Sequence, residues 1–271
     1  MHHKKELTMF SYTKYFILPL FFVAHLSQTA EQDGKQKEPA SSTAESDIAV
    51  KEPLNRELMQ AATCSNVEQV RSLIEQKANV DYIDRLFAQS CLLATASPKV
   101  AKALIDGKAN VNLVINGEST LHIAVSCPAG GRPDIIKMLL ENKANVEASD
   151  SDGMTAIHKV RHLDYLQLLL EHKANPIAQT PKGNTPIHTI ALRAWSEAKD
   201  PEIIQRLIEA KVELNGKNSE GKTALHFAFE RKNRGLANTL LQVNASMLIK
   251  DKEDISPLDI AFNNMQMTSK K

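Results

Sequence analysis

The tetrapeptide Thr223-Ala224-Leu225-His226 recurs along this chain and decides its fold. Other copies are Ser119-Thr120-Leu121-His122, Thr155-Ala156-Ile157-His158 and Thr185-Pro186-Ile187-His188, with degenerate ones at Ser90-Cys91-Leu92-Leu93 and Ser256-Pro257-Leu258-Asp259. A second phrase precedes most copies: Lys77-Ala78-Asn79-Val80, Lys108-Ala109-Asn110-Val111, Lys143-Ala144-Asn145-Val146, Lys173-Ala174-Asn175-Pro176 and Lys211-Val212-Glu213-Leu214. Two phrases that alternate about every 33 residues predict an array of structural repeats. Such an array offers a long lateral surface instead of one deep core for a catalytic centre.

The residue types in these phrases have physical reasons. The Thr or Ser that opens each tetrad has a hydroxyl suited to a helix start. Pro186 and Pro257 fit the first helical position, where a missing N–H costs little. Glycines stand just before four tetrads and indicate turns with positive φ, and Asp or Asn residues begin such turns. These positions are Gly117, Gly153, Gly183 and Gly221, and Asp84, Asp150, Asn218 and Asp251.

The pattern resembles the ankyrin repeat, a β-turn followed by two antiparallel helices with a Thr-Pro-Leu-His-x-Ala signature. The resemblance covers roughly residues 55–268. It implies an all-α solenoid of about six helix-turn-helix repeats, joined by β-turn fingers, plus a partial C-terminal cap. It also implies that the tetrad histidines form hydrogen bonds between adjacent repeats. Asp259 stands in place of histidine in the last copy, as expected of a terminal unit.

One departure from the family pattern concerns the end of the second helix, where the family usually has glycine in a left-handed conformation. This chain has lysine at that place in five repeats: Lys77, Lys108, Lys143, Lys173 and Lys211. A side chain there costs roughly 1 kcal/mol. A cation near a helix C-terminus recovers about 0.3–1 kcal/mol of that cost.

The N-terminus has a different composition from the repeats. Lysines precede the apolar run Tyr15–Leu26, as in a secretory signal peptide, and the run is shorter than the about 20 residues of a membrane span. We expect residues 1–30 to be a signal peptide, with an uncleaved anchor and chance hydrophobicity as alternatives. Residues 31–54 are rich in Glu, Gln, Lys, Ser and Pro, which predicts a disordered linker before a repeat domain at 55–271. The expected location is periplasmic or secreted, or membrane-anchored if the segment is retained.

Charge and reactive groups argue for binding of proteins. The formal net charge is +1, which gives no electrostatic reason to expect nucleic acid or an anionic membrane as partner. Neither phosphate-binding glycine loops nor nucleophile motifs occur, so we expect no enzyme activity, no cofactor and no metal. His158 and His162 have zinc-like spacing, but His158 is a tetrad residue and further ligands are missing. Three cysteines, Cys64, Cys91 and Cys127, are expected to be free thiols, with Cys91 partly buried.

The spacing of the tetrads is irregular. First residues at 90, 119, 155, 185, 223 and 256 give short and long intervals in turn. Short intervals lose residues from the first helix, as at 158–162, and long ones gain residues between the helices, at 127–132 and 193–200. Such insertions often lie on a binding face. Trp195, the only tryptophan, lies in the second insertion and either contacts a partner or packs on its own helix pair.

The family resemblance also indicates where a partner binds, namely at the turn tips and the inner face of the first helices. The candidate residues are Ser151, Asp152, Met154, Lys182, Asn184, Trp195, Ser219, Glu220, Lys222 and Arg231. We expect a monomer that binds a protein partner through a concave groove. Export and the family resemblance favour the hypothesis of a host-directed effector. The alternative is a periplasmic scaffold or protector of an envelope protein.

Overall fold

The computed structural model describes residues 43–84, 89–126, 133–193 and 200–268 of the 271-residue chain. Within these ranges the helices pair into six consecutive units, and a single helix follows them. The first helices are α1 (Thr43–Thr63), α3 (Cys91–Ala94), α5 (Thr120–Ser126), a 3-10 turn (Ala156–Lys159), α8 (Pro186–Leu192) and α10 (Ala224–Glu230). Their second helices are α2 (Val67–Glu75), α4 (Pro98–Asp106), α6 (Pro133–Glu141), α7 (Leu163–Glu171), α9 (Asp200–Glu209) and α11 (Arg234–Gln242). The predicted solenoid is confirmed, and α12 (Pro257–Thr268) is its C-terminal cap.

Two of the fingers between repeats are short antiparallel hairpins. Strand β1 (Ile83–Asp84) pairs with β2 (Gln89–Ser90), and β3 (Val114–Ile115) pairs with β4 (Glu118–Ser119). The second hairpin closes through Asn116 and Gly117, both with positive φ, as a two-residue turn of this twist requires. In later repeats the side chain of Asp150, Thr180, Asn218 or Asp251 closes the finger instead.

The boundary predicted between linker and repeat domain is wrong. Residues 43–54, which composition predicted to be disordered, lie in α1. Leu54 packs against the core, and the buried Asn55 accepts a hydrogen bond from the backbone N–H of Asn79 at 2.7 Å. The phenol of Tyr82 donates to Glu52 at 3.1 Å. These contacts with the second repeat give α1 a tertiary anchor that composition alone does not reveal. The predicted signal segment, residues 1–30, lies outside the described residues.

A continuous apolar core runs through the whole stack of helices. Each second helix turns one apolar face inward, for example through Ile136 and Leu139 in α6, which are fully buried. Equivalent positions in α7 are Leu166 and Leu169, also fully buried. Because each helix pair buries its apolar side against both neighbours, stability comes from nearest-neighbour contacts along the array. Among the described residues, no helix is long and apolar enough to cross a membrane.

The first helices differ in length in the way that the tetrad spacing predicts. The helix α3 has four residues, and the 3-10 turn at 156–159 also has four, whereas α5, α8 and α10 each have seven. The predicted insertions at 127–132 and 193–200 fall between paired helices, and residues 127–132 and 194–199 lie outside the described residues. Trp195 therefore lies outside the part of the chain that the structure describes.

Two cysteines match their prediction. Cys64 is an exposed free thiol, and Cys91 is a buried free thiol at the first position of α3. Burial raises the pKa of the Cys91 thiol to about 12, so the group stays protonated and unreactive at neutral pH. Cys127 lies outside the described residues.

The lysines that replace the family's glycine adopt the predicted left-handed conformation. Their φ angles are 69°, 74°, 66°, 66° and 64° for Lys77, Lys108, Lys143, Lys173 and Lys211. The following backbone amides turn back to the helix end, as Ala144 N–H does when it donates to Leu139 at 2.9 Å. This is the expected closure of a helix by a residue in the left-handed region.

We expect the substitution Lys143→Gly to be neutral or stabilising by up to about 1 kcal/mol, because glycine adopts φ near 66° without strain. Thermal unfolding of the variant and the wild type measures the effect. The matched control is Lys137→Gly in the middle of α6, which should destabilise by about 1 kcal/mol. A lower melting temperature for Lys143→Gly would contradict this explanation of the turn.

Candidate protein-binding face

The four tetrad histidines connect each repeat to the next. In the fourth repeat the backbone N–H of Thr155 donates to His158 Nδ1 at 3.1 Å. Since Nδ1 accepts this bond, the ring proton of the neutral imidazole must reside on Nε2. His158 Nε2 therefore donates to the carbonyl of Asn184 in the following repeat, at 3.2 Å. Each imidazole thus caps its own helix through one nitrogen and bonds the neighbouring repeat through the other.

The same arrangement recurs at the other three histidines. The Nδ1 atoms of His122, His188 and His226 accept N–H bonds from Ser119, Thr185 and Thr223 at 3.3, 3.2 and 3.0 Å. Their Nε2 atoms bond the carbonyls of Met154, Lys222 and Ile255 at 2.8, 3.2 and 3.1 Å. The structural role predicted for these histidines is confirmed.

Burial keeps these rings neutral. Desolvation lowers the pKa of His122, His158, His188 and His226 below the ordinary histidine value, although the bonds to carbonyls raise the pKa in part. A second proton on Nδ1 would also face the N–H of the tetrad Thr or Ser. Both nitrogens of His158 are occupied by these bonds, which leaves neither for a metal ion. Among the described residues, no group of three or more His, Cys, Asp and Glu side chains has metal-binding geometry.

The two ends of the array show what happens without a histidine. At the C-terminal end, Asp259 Oδ2 accepts the Ser256 N–H at 2.8 Å, which reproduces the capping half of the role. Near the N-terminal end, in the second repeat, Leu93 stands at the histidine position, and the buried Ser90 hydroxyl has no hydrogen-bond partner in the described part of the chain.

The fingers of the later repeats are closed by their first residue, as the sequence predicts. Asp150 Oδ1 accepts the N–H groups of Asp152 and Met154 at 2.9 and 2.8 Å. Asn218 and Asp251 make the equivalent bonds in the two last fingers, at 2.9–3.0 Å. The predicted glycines have positive φ, 71° at Gly153 and 80° at Gly221. The turn tips are therefore fixed within each repeat.

Neighbouring turn tips are also fixed to each other. Lys182 accepts two hydrogen bonds at its carbonyl from Ser219, from the backbone N–H at 3.0 Å and from the hydroxyl at 2.7 Å. The N–H of Lys252 donates to the Glu220 carbonyl at 3.0 Å. A Cβ on Gly221 would lie 2.9 Å from Lys252 N, so the glycine lets the two turns approach closely. Hydrogen bonds therefore join the last three tips into one row, and the tip at Gly153 adjoins them, since a Cβ there would clash with Pro181 Cδ.

The structure places most of the predicted contact residues on this row or beside it. The exposed ones are Ser151, Asp152, Lys182, Ser219, Glu220 and Arg231, while Met154 and Lys222 are half-buried. Lys252 and Glu253 extend the row in the last finger and are exposed, although the sequence analysis missed them. Their position after Asp251 corresponds to that of Ser151 and Asp152 after Asp150, so the repeat register contains the signal.

The structure corrects the prediction for Asn184. The prediction assigned it to the binding surface, but it is buried, and its Oδ1 accepts a hydrogen bond from Asn218 Nδ2 at 2.9 Å. Its carbonyl is the acceptor for His158. The asparagine therefore joins the bases of two fingers, and the short distance between fingers excludes its side chain from solvent.

Lys222 forms ion pairs within its own repeat. Its ammonium lies 2.8 Å from Glu230 Oε1 and 3.5 Å from Glu220 Oε2, and it sits 5.9 Å from the centre of the Phe227 ring. The hydrogen bond to Glu230 raises the pKa of Lys222, with further contributions from Glu220. A partner at this point meets a charged network with a fixed geometry.

A buried ion cluster in the fourth repeat was not foreseen. Lys159 contacts Asp150 Oδ2 at 2.5 Å and also pairs with Glu118, and its side chain is only 17% exposed. Burial would raise the pKa of Asp150, but bonds from Lys159 and two backbone N–H groups hold it below the usual value. Lys159 follows the tetrad histidine, where the other repeats have Ile123, Thr189 and Phe227. The sequence signal for this cluster was a lysine at a position where the other repeats have an uncharged residue.

The truncated helix of this repeat leaves carbonyls that side chains of the next repeat satisfy. The hydroxyl of Thr189 donates to the His158 carbonyl at 3.0 Å. The guanidinium of Arg193 donates to the Val160 carbonyl. Polar contacts thus replace the helical turn that the fourth repeat lacks.

Comparison with known proteins agrees with this geometry. The family model described as "Ankyrin repeats (3 copies)" matches residues 58–150 and 153–251, which is most of the chain. The chain is an ankyrin-repeat protein. Its capped tetrads, left-handed helix ends and connected fingers are the ankyrin repeat as this sequence builds it.

Two solved structures show how far the likeness extends. The ankyrin repeat domain of Bcl-3, described as a unique member of the IkappaB protein family, has 26% identity and a TM-score of 0.61, over 76% of this chain and 93% of that one. The human ASB11 ankyrin repeat domain has 23% identity and a TM-score of 0.61, over 75% and 90%. The second likeness shows the fold alone. Ankyrin repeats are in general modules for protein–protein interaction, which supports the coarse function predicted from the sequence.

Proposed function

We propose that this ankyrin-repeat protein is a non-catalytic binding module that holds a protein partner against its connected turn tips and the inner face of its first helices. The observation that carries the proposal is the row of bonded fingers, in which Ser219 ties to Lys182 and Lys252 ties to Glu220. Because these bonds order the tips before a partner arrives, binding loses little conformational entropy there.

The chemistry of the row favours a polar partner. Its exposed residues alternate in charge, with Asp152 and Lys182 in successive fingers and Glu220 in the next. Such a surface selects its partner by the order of charges.

The test is an affinity capture from cell extracts that uses the full chain as bait. The charge-swapped variant Asp152→Lys/Lys182→Glu/Glu220→Lys should lose the partners that the wild type retains. The matched control is Lys102→Glu/Glu75→Lys, which changes exposed charges on the second helices and should retain them. Equal capture by the wild type and the charge-swapped variant would refute binding through the turn tips. A further variant, Trp195→Ala, reports whether the second insertion contributes contacts.

We also propose export of the protein, on the apolar run Tyr15–Leu26 and the lysines before it. A host-directed effector and a periplasmic protector of an envelope protein both fit export. Cell fractionation with N-terminal sequencing of the mature protein distinguishes them. Recovery from the cytoplasm with an intact N-terminus would refute both.

A further inference from the structure

The five left-handed lysines lie at equivalent places in five successive repeats, and the stacking of the repeats puts them in one line. This lysine row consists of Lys77, Lys108, Lys143, Lys173 and Lys211. Hydrogen bonds beside the lysines join the repeats: Asn110 N–H donates to Asp81 Oδ1, and Asn145 N–H donates to Asn112 Oδ1, both at 2.7 Å. The carbonyl of Lys143 also accepts from Asn112 Nδ2 at 3.4 Å.

All five side chains of the lysine row are exposed. Among the described residues, none of them takes part in an ion pair or a side-chain hydrogen bond with a carboxylate. Three of the carboxylates at the ends of the second helices pair with other cations: Asp106 with Lys102 at 3.3 Å, Glu141 with Lys137 at 4.0 Å and Glu209 with Arg206 at 3.4 Å. The other two, Glu75 and Glu171, form no ion pair in the described part of the chain. The row therefore presents five ammonium groups that its own repeats do not hold in ion pairs.

The backbone conformation alone does not explain lysine at these places. The sixth repeat has Asn244 at the equivalent position with φ 67°, so an uncharged residue that tolerates this conformation serves there. Five lysines each accept roughly 1 kcal/mol of backbone strain that glycine would avoid, with only part returned by the helix dipole. Strained residues that repeat in one line point to a function.

We infer that the lysine row binds an extended acidic segment of a protein partner. Packed helices lie 8–10 Å apart, so the row is about 40 Å long with one charge about every 10 Å. A polyproline II chain advances about 9 Å in three residues, which brings a carboxylate at every third position opposite each lysine. The lysine row is separate from the turn tips, so this binding extends beyond the proposed function and does not depend on it.

The test uses a fluorescent peptide of repeated Glu-Pro-Pro units, with Gln-Pro-Pro and Glu-Pro-Pro-Pro-Pro peptides as controls, and the full-length protein. Anisotropy titrations should show binding of the Glu-Pro-Pro peptide that weakens with salt. The variant Lys108→Asn/Lys143→Asn/Lys173→Asn should bind about tenfold more weakly, since exposed ion pairs are individually weak. Asparagine keeps the left-handed backbone, as at Asn244, and thermal unfolding verifies that the variant folds.

The matched control is Lys99→Asn/Lys232→Asn/Arg234→Asn, which removes three exposed cations elsewhere, one of them, Lys232, also at positive φ. It should change the affinity by less than about twofold. The inference is overturned if the wild type does not bind the peptide, or if both triple variants lose affinity equally. Lysine-dependent binding to phosphatidylserine vesicles without binding to the peptide would also overturn it, in favour of a lipid surface.

Discussion

The free energy of unfolding should fall steeply as the pH drops from about 7 to about 5, because the four tetrad histidines are buried in neutral form. Their pKa values are lowered in the folded state, so below about pH 6.5 the unfolded chain binds more protons than the folded chain. Each histidine contributes a slope of up to about 1.4 kcal/mol per pH unit, and the four together reach about 5 kcal/mol per unit. The contribution of each histidine to stability is fully present above the pKa of the unfolded chain, and it is lost as the pH falls toward the lower pKa of the folded state.

Urea unfolding at several pH values measures this slope. Asp150 does not interfere in this window, because its pKa is lowered from an ordinary value near 3.8. His226→Gln serves as the control, since its amide does not take up a proton in this range and the slope should fall by about a quarter. A stability that stays constant down to pH 5 would show that the imidazoles are not buried in their neutral form.

The second large effect is expected at Lys159. The substitution Lys159→Met should destabilise the protein by about 3 kcal/mol, because it leaves the Asp150 carboxylate, only 1% exposed, without its cation. Adding Asp150→Asn should restore most of the stability. Asn218 shows why: in the equivalent finger an asparagine Oδ1 accepts the same two backbone N–H groups without carrying a charge.

A double-mutant cycle with Lys159→Met, Asp150→Asn and the pair measures this coupling by urea unfolding. Glu118 remains 28% exposed in all variants and can be solvated, so it should contribute little to the difference. If the double variant is no more stable than Lys159→Met alone, then the buried charge is not the cause of the destabilisation.

The sequence was sufficient to predict the repeats, because the tetrad and the helix-end phrase report local backbone geometry. The hydroxyl of Thr155, the positive φ of Gly153 and the left-handed Lys143 are each required within a single repeat. The two short first helices could also be predicted, since intervals of 29 and 30 residues between tetrads leave too few residues for a full helix.

Features that depend on contacts between repeats were harder to predict. The anchoring of α1 at Glu52 and Asn55 comes from hydrogen bonds donated by Tyr82 and Asn79, more than twenty residues along the chain, and composition does not contain these contacts. The burial of Asn184 and the ion cluster of Lys159 likewise arise from neighbours about one repeat away. The burial and the partners of a polar residue in one repeat can be predicted only when the residue that it contacts in the neighbouring repeat is known.

The short first helix of the fourth repeat has a consequence for how the molecule unfolds. The 3-10 turn there has only four residues, and Lys159, Thr189 and Arg193 add an ion pair and hydrogen bonds to the contacts with the neighbouring repeats. Salt screens ion pairs, whereas urea and guanidinium weaken apolar contacts. We therefore expect added salt to weaken the packing of the fourth repeat against its neighbours more than the packing between the other repeats.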